Sequence, residues 1–518
     1  MMTFKFRLAL CLMSLSLGLA WSSVIQANSE RAYQAIVDDD FEGFLSATKD
    51  LSIAEINQSI QESWGETLLI TATRYHRNNI VSYLLNLDGI CLECRDQHQT
   101  TALLEAVTSK NVEGLSQLIA AKANVNAQNE NLVSGLMIAA ARSSEDIFKI
   151  LASHPQIDPL LTDANGSSVV HYLLELGENL GGLVEGNVEM EVLEDGAPID
   201  VKVEVNVEVD VPWQLVIETL VRNKSDEALA EFLRQRAELD RTRLRMLQFF
   251  LTHSFKDKDA ANNKARALTA ENADGRRPLD YAAEFGMEGA IQFLADNGVE
   301  LPAPHSFEAQ QLLLLAINSG QLDPVRYLVD THKVGVNFNF APLENISPLH
   351  LASMILWQPD AIEFLIQSGA DIENLCDQGL TPLMHASSMG NYVGVKCLLD
   401  HKANHRTTDP ELKFSALSFA AFYTDCEQTA ECLAKAGANL FHQDKDGDNL
   451  LHLALYRVAG SPVEGMNLIK FLIEKAPALL DQKNKQGLSP KDLAQELPDD
   501  LKQEFSSLLP GKFRKGFN

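Results

Sequence analysis

Six residues, SPLHLA from Ser347 to Ala352, return as TPLMHA from Thr381 to Ala386 and then in worn form along most of the chain. Taking the first residue of each element, the series runs Thr67, Thr101, Ser134 and Ser168, at spacings of 34, 33 and 34. It resumes at Arg277 and continues through Gln311, Ser347, Thr381, Ser415 and Asn449 at 34, 36, 34, 34 and 34. Ser489, forty residues on, opens a last and altered copy, the eleventh. A fixed period of this length means small supersecondary units that cannot bury an apolar face alone and therefore stack. A chain of 518 residues is too long for one ordinary core, but a stack grows without a single centre.

Each place in the element has a physical task if the element opens a helix. Thr or Ser as N-cap accepts a hydrogen bond from a first-turn amide that has no other partner, and Pro348 or Pro382 in the next place has no N–H to lose. Leu in the third place and Ala in the sixth fall on one helix face, where a neighbouring unit can bury them. Turn chemistry precedes the element, as in Gly369-Ala370-Asp371 with Gly379, and Gly437-Ala438-Asn439 with Gly447. Glycine there permits the positive φ that ends one helix and tightens the turn before the next.

These residues resemble the ankyrin repeat, a loop or β-turn followed by two antiparallel helices, and Gln367 to Ala386 stands close to that family's consensus. The tetratricopeptide pattern of the same period lacks its Trp, Leu-Gly and Tyr signature here. The resemblance implies an all-α repeat solenoid of stacked helix-turn-helix units and a binding mode in which turn tips and first helices form a concave surface for another protein. On that resemblance the candidate protein-binding residues are Asp96, Gln97, Asp377, Gln378, Asp444, Lys445 and Asp446. His171, His350 and His452 hold the fourth place of the element, where the family uses His for hydrogen bonding within and between units.

Residues 1–27 are a different kind of sequence. Lys5 and Arg7 precede an apolar run from Leu8 to Ala20 and a polar stretch ending in small residues, the layout of a secretory signal peptide cleaved after Ala27, with Ser22 and Ser23 as the alternative. The run is shorter than the ~20 residues a spanning helix needs, and no later segment is apolar enough to span. The leader looks bacterial, which points to an exported bacterial ankyrin-repeat protein, periplasmic or secreted. Export makes Cys91 and Cys94 a candidate local disulfide, with two plain thiols as the alternative. Without a second pair at zinc-like spacing or a surrounding βαβ pattern they do not read as a zinc or redox site. Cys397 and Cys432 hold equivalent places in second helices and read as small buried hydrophobes.

The formal charge is −28, and loss of Lys5 and Arg7 with the leader takes it to −30. Such a surface repels nucleic acid and anionic membranes and favours basic proteins, cationic peptides or cations.

Between Ser168 and Arg277 the period breaks for 109 residues. Within the insertion, taken as 177–272, apolar residues alternate at Val188, Met190 and Val192 and again from Ile199 to Val211, with Asp195-Gly196-Ala197-Pro198 between them. This predicts a β-hairpin over about 186–211 with one apolar and one acidic face. The longer second arm could offer an edge to a partner strand, or the insertion could merely stabilise the stack. Helical periodicity follows over Trp213 to Arg222, Ser225 to Arg236 and Arg241 to Ser254, and a polar stretch from Lys256 to Asn272 leads back to the register. The domain plan is then 28–176 for an N-terminal cap and repeats, 273–509 for repeats and a C-terminal cap, and 510–518 for a solvated basic tail.

No catalytic constellation is legible, and no cofactor or metal is expected. Asp444, Asp446 and Asp448 imitate part of a calcium loop but lack its closing Glu and fit the turn places of a repeat. Gly-x-Ser-x-Gly, a phosphate-cradling loop before Lys, and His-Glu-x-x-His are all missing. The reading is a non-enzymatic exported scaffold for protein–protein interaction. Its alternatives are an effector secreted onto host proteins, and an enzyme or cation-dependent factor with its site in 177–272.

Overall fold

A computed structural model of the chain describes residues 27–59, 65–175, 188–194, 197–203, 226–256, 258–356, 359–460 and 466–510. The leader and the basic tail lie outside them, but for Ala27 and Pro510. The chain forms two compact units, one of residues up to 177 with 237–281, the other of 178–236 with 282 onward. Both are built as all-α repeat solenoids.

In the first unit, helix pairs follow one another as Leu68–Arg74 with Asn78–Leu85, Ala102–Thr108 with Val112–Ala120, and Gly135–Ala141 with Glu145–Ala152. The hydroxyls of Thr67, Thr101 and Ser134 accept from the amides of Ile70, Leu104 and Met137. A helix over residues 27–37 with Phe41–Thr48 precedes these pairs and buries Ile36 and Phe44 against them.

In the second unit the same pairing runs through Pro348–Met354 with Pro359–Gln367, Pro382–Ser388 with Tyr392–Asp400, Ala416–Tyr423 with Glu427–Lys435, and Leu450–Gly460 with Asn467–Lys475. Leu349, Leu383 and Leu417 are buried at matching places of successive first helices, as are Ala352, Ala386 and Ala420. This is the one-face spacing of the element turned into a continuous apolar seam. Gly369, Gly379, Gly437 and Gly447 all adopt positive φ, between 71° and 93°.

Two elements depart from the sequence reading. Gln311 does not open a helix: Phe307–Asn318 begins a turn earlier, with Ser306 as its N-cap accepting from the amide of Ala309. A hydroxyl with four good helix positions behind it outcompetes an amide that offers no cap. Arg277 has no hydroxyl either, but Asp280 supplies the reciprocal half of a cap, its carboxylate accepting from the Arg277 amide at 2.8 Å.

The insertion contains the hairpin, Val188–Glu194 paired antiparallel with Ala197–Val203. Its register sets Val188 opposite Val203, Met190 opposite Val201 and Val192 opposite Ile199. The expected continuation to 211 and the helix over 213–222 lie outside the described residues. The two helical runs expected at 225–236 and 241–254 are one helix, Asp226–His253, since Ala237, Glu238 and Leu239 between them are good helix formers. The polar stretch expected after it contains a further helix, Ala260–Thr269.

Within the first unit, residues 237–253 of the long helix serve as the missing second helix beside Val169–Leu174. Phe250 packs on Phe148 with ring centroids 6.3 Å apart, and Ser254 donates to the Ala152 carbonyl at 2.9 Å. Arg243, 2 % exposed, reaches the carbonyls of Ala141 and Glu175 and the Ser143 hydroxyl. Asn111 and Asn391 do comparable work for ordinary pairs, donating to the Thr73 and Ser353 carbonyls at the ends of preceding first helices. The turn that follows resumes the register directly, the Ala273 amide donating to the Asn165 carbonyl of the turn before it at 2.7 Å.

Candidate protein-binding face

The turns that carry the proposed contact residues are organised by one side chain, five places before the helix N-cap. Asp96 accepts from the amides of His98 and Thr100, Asp163 from Asn165 and Ser167, and Asp444 from Asp446 and Asp448, all at 2.7 to 2.9 Å. Asn129, Asn272 and Asn484 do the same with their carbonyl oxygens. A short acceptor two residues upstream of the amides it receives is the chemistry of an Asx turn. Successive tips are then tied by backbone bonds, as in Glu130 to His98 in the first unit, and Asp377 to Glu344, Lys445 to Leu412 and Lys485 to Asp446 in the second.

This divides the seven candidates. Asp96, 5 % exposed, and Asp444, half-buried, point into their own turns, and burial raises the Asp444 carboxyl above the usual carboxylate range. With these bonds they shape the tips. Gln97, Asp377, Gln378, Lys445 and Asp446 are exposed. Asp377 accepts from the Asn345 side chain at 2.7 Å and Gln378 donates to Glu344, so neighbouring tips hold each other's side chains in place.

The fourth-place histidines are structural. In the second unit, Ser347 N–H donates to His350 Nδ1 at 3.1 Å, which leaves the proton on Nε2 to donate to the Leu380 carbonyl of the next turn at 3.0 Å. His452 bridges Asn449 and the Leu488 carbonyl in the same way, and His171 in the first unit bridges Ser168 and the Arg276 carbonyl. Burial lowers the pKa of all three, so they stay neutral. Cys397 and Cys432 are half-buried, not fully so, and burial pushes both thiols up, Cys397 to about 11. The sulfur atoms of Cys91 and Cys94 stand 2.15 Å apart, with Cα atoms separated by 5.4 Å.

One set of surface residues escaped the sequence reading. Eight places after the N-cap, where each first helix ends, stand Tyr75 in the first unit and Met389 and Tyr423 in the second, all exposed. The tips of the second unit add Leu343, Leu375 and Phe441, exposed beside Glu344, Asp377 and Asp446. The signal was present as a large apolar residue recurring at one register place outside the buried Leu and Ala positions. In the second unit, exposed apolar side chains at helix ends and turn tips, with exposed carboxylates at the same tips, mark a candidate interaction surface.

The second unit also has an open cavity of about 510 Å³ lined by Glu288, Gln292, Asp296, Asp323, Arg326, Tyr327, Asp330 and Thr331. Its lining includes four carboxylates and one guanidinium, and burial followed by the nearby Asp323 raises the Glu288 carboxyl above the usual carboxylate range.

Comparison with known proteins agrees with the helical pairs. A family model described as "Ankyrin repeats (3 copies)" matches residues 41–129 and 312–409. The chain is 25 % identical over 191 residues to "Transient receptor potential cation channel subfamily A member 1" of Drosophila melanogaster, covering 35 % of this chain and 16 % of that protein. It is 24 % identical over 190 residues to "Putative ankyrin repeat protein L371" of Acanthamoeba polyphaga mimivirus, covering 36 % and 24 %. With "Ankyrin repeat protein nuc-2" of Neurospora crassa it shares 28 % over 204 residues, covering 33 % and 18 %. The match therefore spans a quarter or less of each of these relatives.

Proposed function

On the premise that this chain carries ankyrin repeats, we propose that it is an exported scaffold that binds a basic protein or peptide through its turn tips and the ends of its first helices. The observation that carries the proposal is the exposure, in the second unit, of Met389 and Tyr423 at one register place, together with exposed tips rich in carboxylate in the same unit. Such residues offer apolar area for affinity, while Asp377, Asp446 and Glu344 favour a cationic partner and repel anionic ones. Gln97, Gln378 and Lys445 supply polar contacts at the rim.

Export rests on Lys5, Arg7 and the apolar run from Leu8 to Ala20, and so does the bacterial assignment, since the relatives above come from an insect, a virus and a fungus. Delivery to the periplasm or the medium would suit a bond between Cys91 and Cys94. The repeat family supports a binding role in place of an enzymatic one.

Affinity capture with the mature chain from periplasm and medium, identified by mass spectrometry, tests this when run beside the double substitution Met389→Glu, Tyr423→Glu. Both side chains are exposed, so folding should survive. Loss of the partner by more than tenfold is the expected result; retention at wild-type level refutes this surface. Finding the chain unprocessed in the cytoplasm refutes export.

A further inference from the structure

In the second unit, the turn between Pro359–Gln367 and Pro382–Ser388 differs from its neighbours in a way the repeat does not require. The place held elsewhere by Asp96, Asn129, Asp163, Asn272, Asp444 or Asn484 is Cys376, and it is buried. Its turn closes without the side-chain acceptor, through Cys376 N–H to Leu380 O at 3.2 Å and Gly379 N–H to Cys376 O at 2.9 Å. Nine residues on, other turns put a tyrosine that bonds to the turn's own polar residue, Tyr172 to Asp163 and Tyr281 with Asn272. Here that place is His385, whose Nε2 lies 3.7 Å from Cys376 Sγ. The first helix of the preceding pair adds His350, its ring edge-on to His385 with centroids 5.3 Å apart. The donor atoms of His350, Cys376 and His385 all lie within 4.8 Å of one another.

We propose that His350, Cys376 and His385 form a binding site for a single zinc-class divalent ion. Zinc takes thiolate at about 2.3 Å and imidazole at about 2.0–2.1 Å, so the edges of its tetrahedron run about 3.3–3.6 Å. The sulfur–nitrogen pair, at 3.7 Å, stands just beyond that length, and since no separation exceeds 4.8 Å, none need close by more than about 1.5 Å. One thiolate with two imidazoles suits zinc-class transition ions and excludes the oxygen-seeking magnesium and calcium.

His350 is engaged in the repeat's own hydrogen bonds, and the local chemistry allows for its release. Ser347 Oγ lies 2.7 Å from Nδ1. Moving the imidazole proton from Nε2 to Nδ1 frees the Nε2 lone pair for the ion and gives that hydroxyl a hydrogen bond to accept, at the cost of the bond from the Ser347 N–H to Nδ1. A hydrogen-bond acceptor behind a metal-bound histidine is the usual orienting partner. Leu380 O keeps the bond from the Cys376 N–H and gives up only the one from His350, so its second lone pair can accept from a water bound to the ion. His385 turns its Nε2 toward the Cys376 sulfur. Binding therefore forms one metal–sulfur and two metal–nitrogen bonds and releases one proton, that of the Cys376 thiol. His385 is half-buried, which leaves the ion a route in.

The test is a titration of the intact mature chain at neutral pH with cobalt(II) as the spectroscopic probe, then displacement by zinc(II). The expected result is one equivalent bound with a near-ultraviolet sulfur-to-cobalt band that zinc abolishes. Cys376→Ser and His385→Gln should each weaken binding at least tenfold, while Cys397→Ser leaves it unchanged. Because the variants touch buried positions, the wild-type chain provides an independent readout: zinc should slow alkylation of Cys376 at least tenfold and leave Cys397, Cys426 and Cys432 unaffected, as mapped by mass spectrometry. Absence of the band, its persistence in a folded Cys376→Ser variant, or equal alkylation with and without zinc overturns the site. None of these outcomes bears on partner capture, so the two proposals stand or fall separately.

Discussion

Replacing Arg243 tests whether the inserted helix belongs to the stack. The guanidinium donates to Ser143 Oγ and Ala141 O, both at 2.9 Å, and to Glu175 O, joining the ends of two first helices to the long helix. Burial lowers its pKa to about 10, so it remains a cation at neutral pH. Hydrogen bonds from a charged donor are worth about 1.5–3 kcal/mol each, and a buried carbonyl left without its donor costs about 1–3 kcal/mol. Against these stands the desolvation cost of the buried cation, several kcal/mol, which truncation returns. The net for Arg243→Ala is a loss of about 3–5 kcal/mol. Arg245, two residues on and paired with Glu145 at 3.2 Å in solvent, is the control, and its removal should leave stability nearly unchanged. Urea denaturation of the chain gives the global loss, and hydrogen exchange reads residues 237–253 directly, which matters because long repeat stacks need not unfold in one step. An Arg243→Ala chain within about 1 kcal/mol of wild type, with protection of 237–253 intact, would refute the role assigned to this helix. The same reasoning limits deletion experiments: removing all of 177–272 takes out a structural helix, so a test of the hairpin should remove the hairpin alone.

His171 is fully buried and neutral, with a pKa lowered chiefly by burial, while an unfolded histidine protonates near pH 6.5. The unfolded chain thus binds the extra proton first, so stability is full above about pH 6.5 and falls as pH drops toward the depressed folded value. Thermal melts between pH 7.5 and 4.5 should show this slope, and His171→Gln should flatten it. Gly379→Ala combines φ +71° with a Cβ that would stand 2.6 Å from Pro410 Cδ, so a loss of about 1–3 kcal/mol in urea titration is expected. Lys122, exposed at φ 71°, is the converse, and Lys122→Gly should be neutral or gain up to about 1 kcal/mol. Alkylation of the chain without reductant should leave Cys91 and Cys94 unlabelled, and labelling of both would show that they are free thiols.

Much of the fold was legible because each repeat is specified locally. The N-caps at Thr67, Thr101, Ser134, Ser347, Thr381 and Ser415, the buried Leu349, Leu383 and Leu417, and the positive φ at Gly369 and Gly447 all follow from contacts a few residues long. Where the motif was read too literally it misled. Gln311 matched the register, yet Ser306 offered a real cap one turn earlier. Which tip residue faces solvent depends on the Asx turn, and Asp96 spends its carboxylate inside it.

By itself the sequence determined the repeating unit, its caps, its turns and its apolar seam, since those depend on short-range sterics and hydrogen bonds repeated at a constant period. Only the tertiary structure decided which part of the 109-residue gap completes the fourth pair, because Arg243 finds its partners 68 to 102 residues away. It alone also brought His350, Cys376 and His385 together. Their spacing of 26 and 9 matches no ligand motif, and their donors meet only because stacking lays one first helix, the next turn and the next first helix side by side.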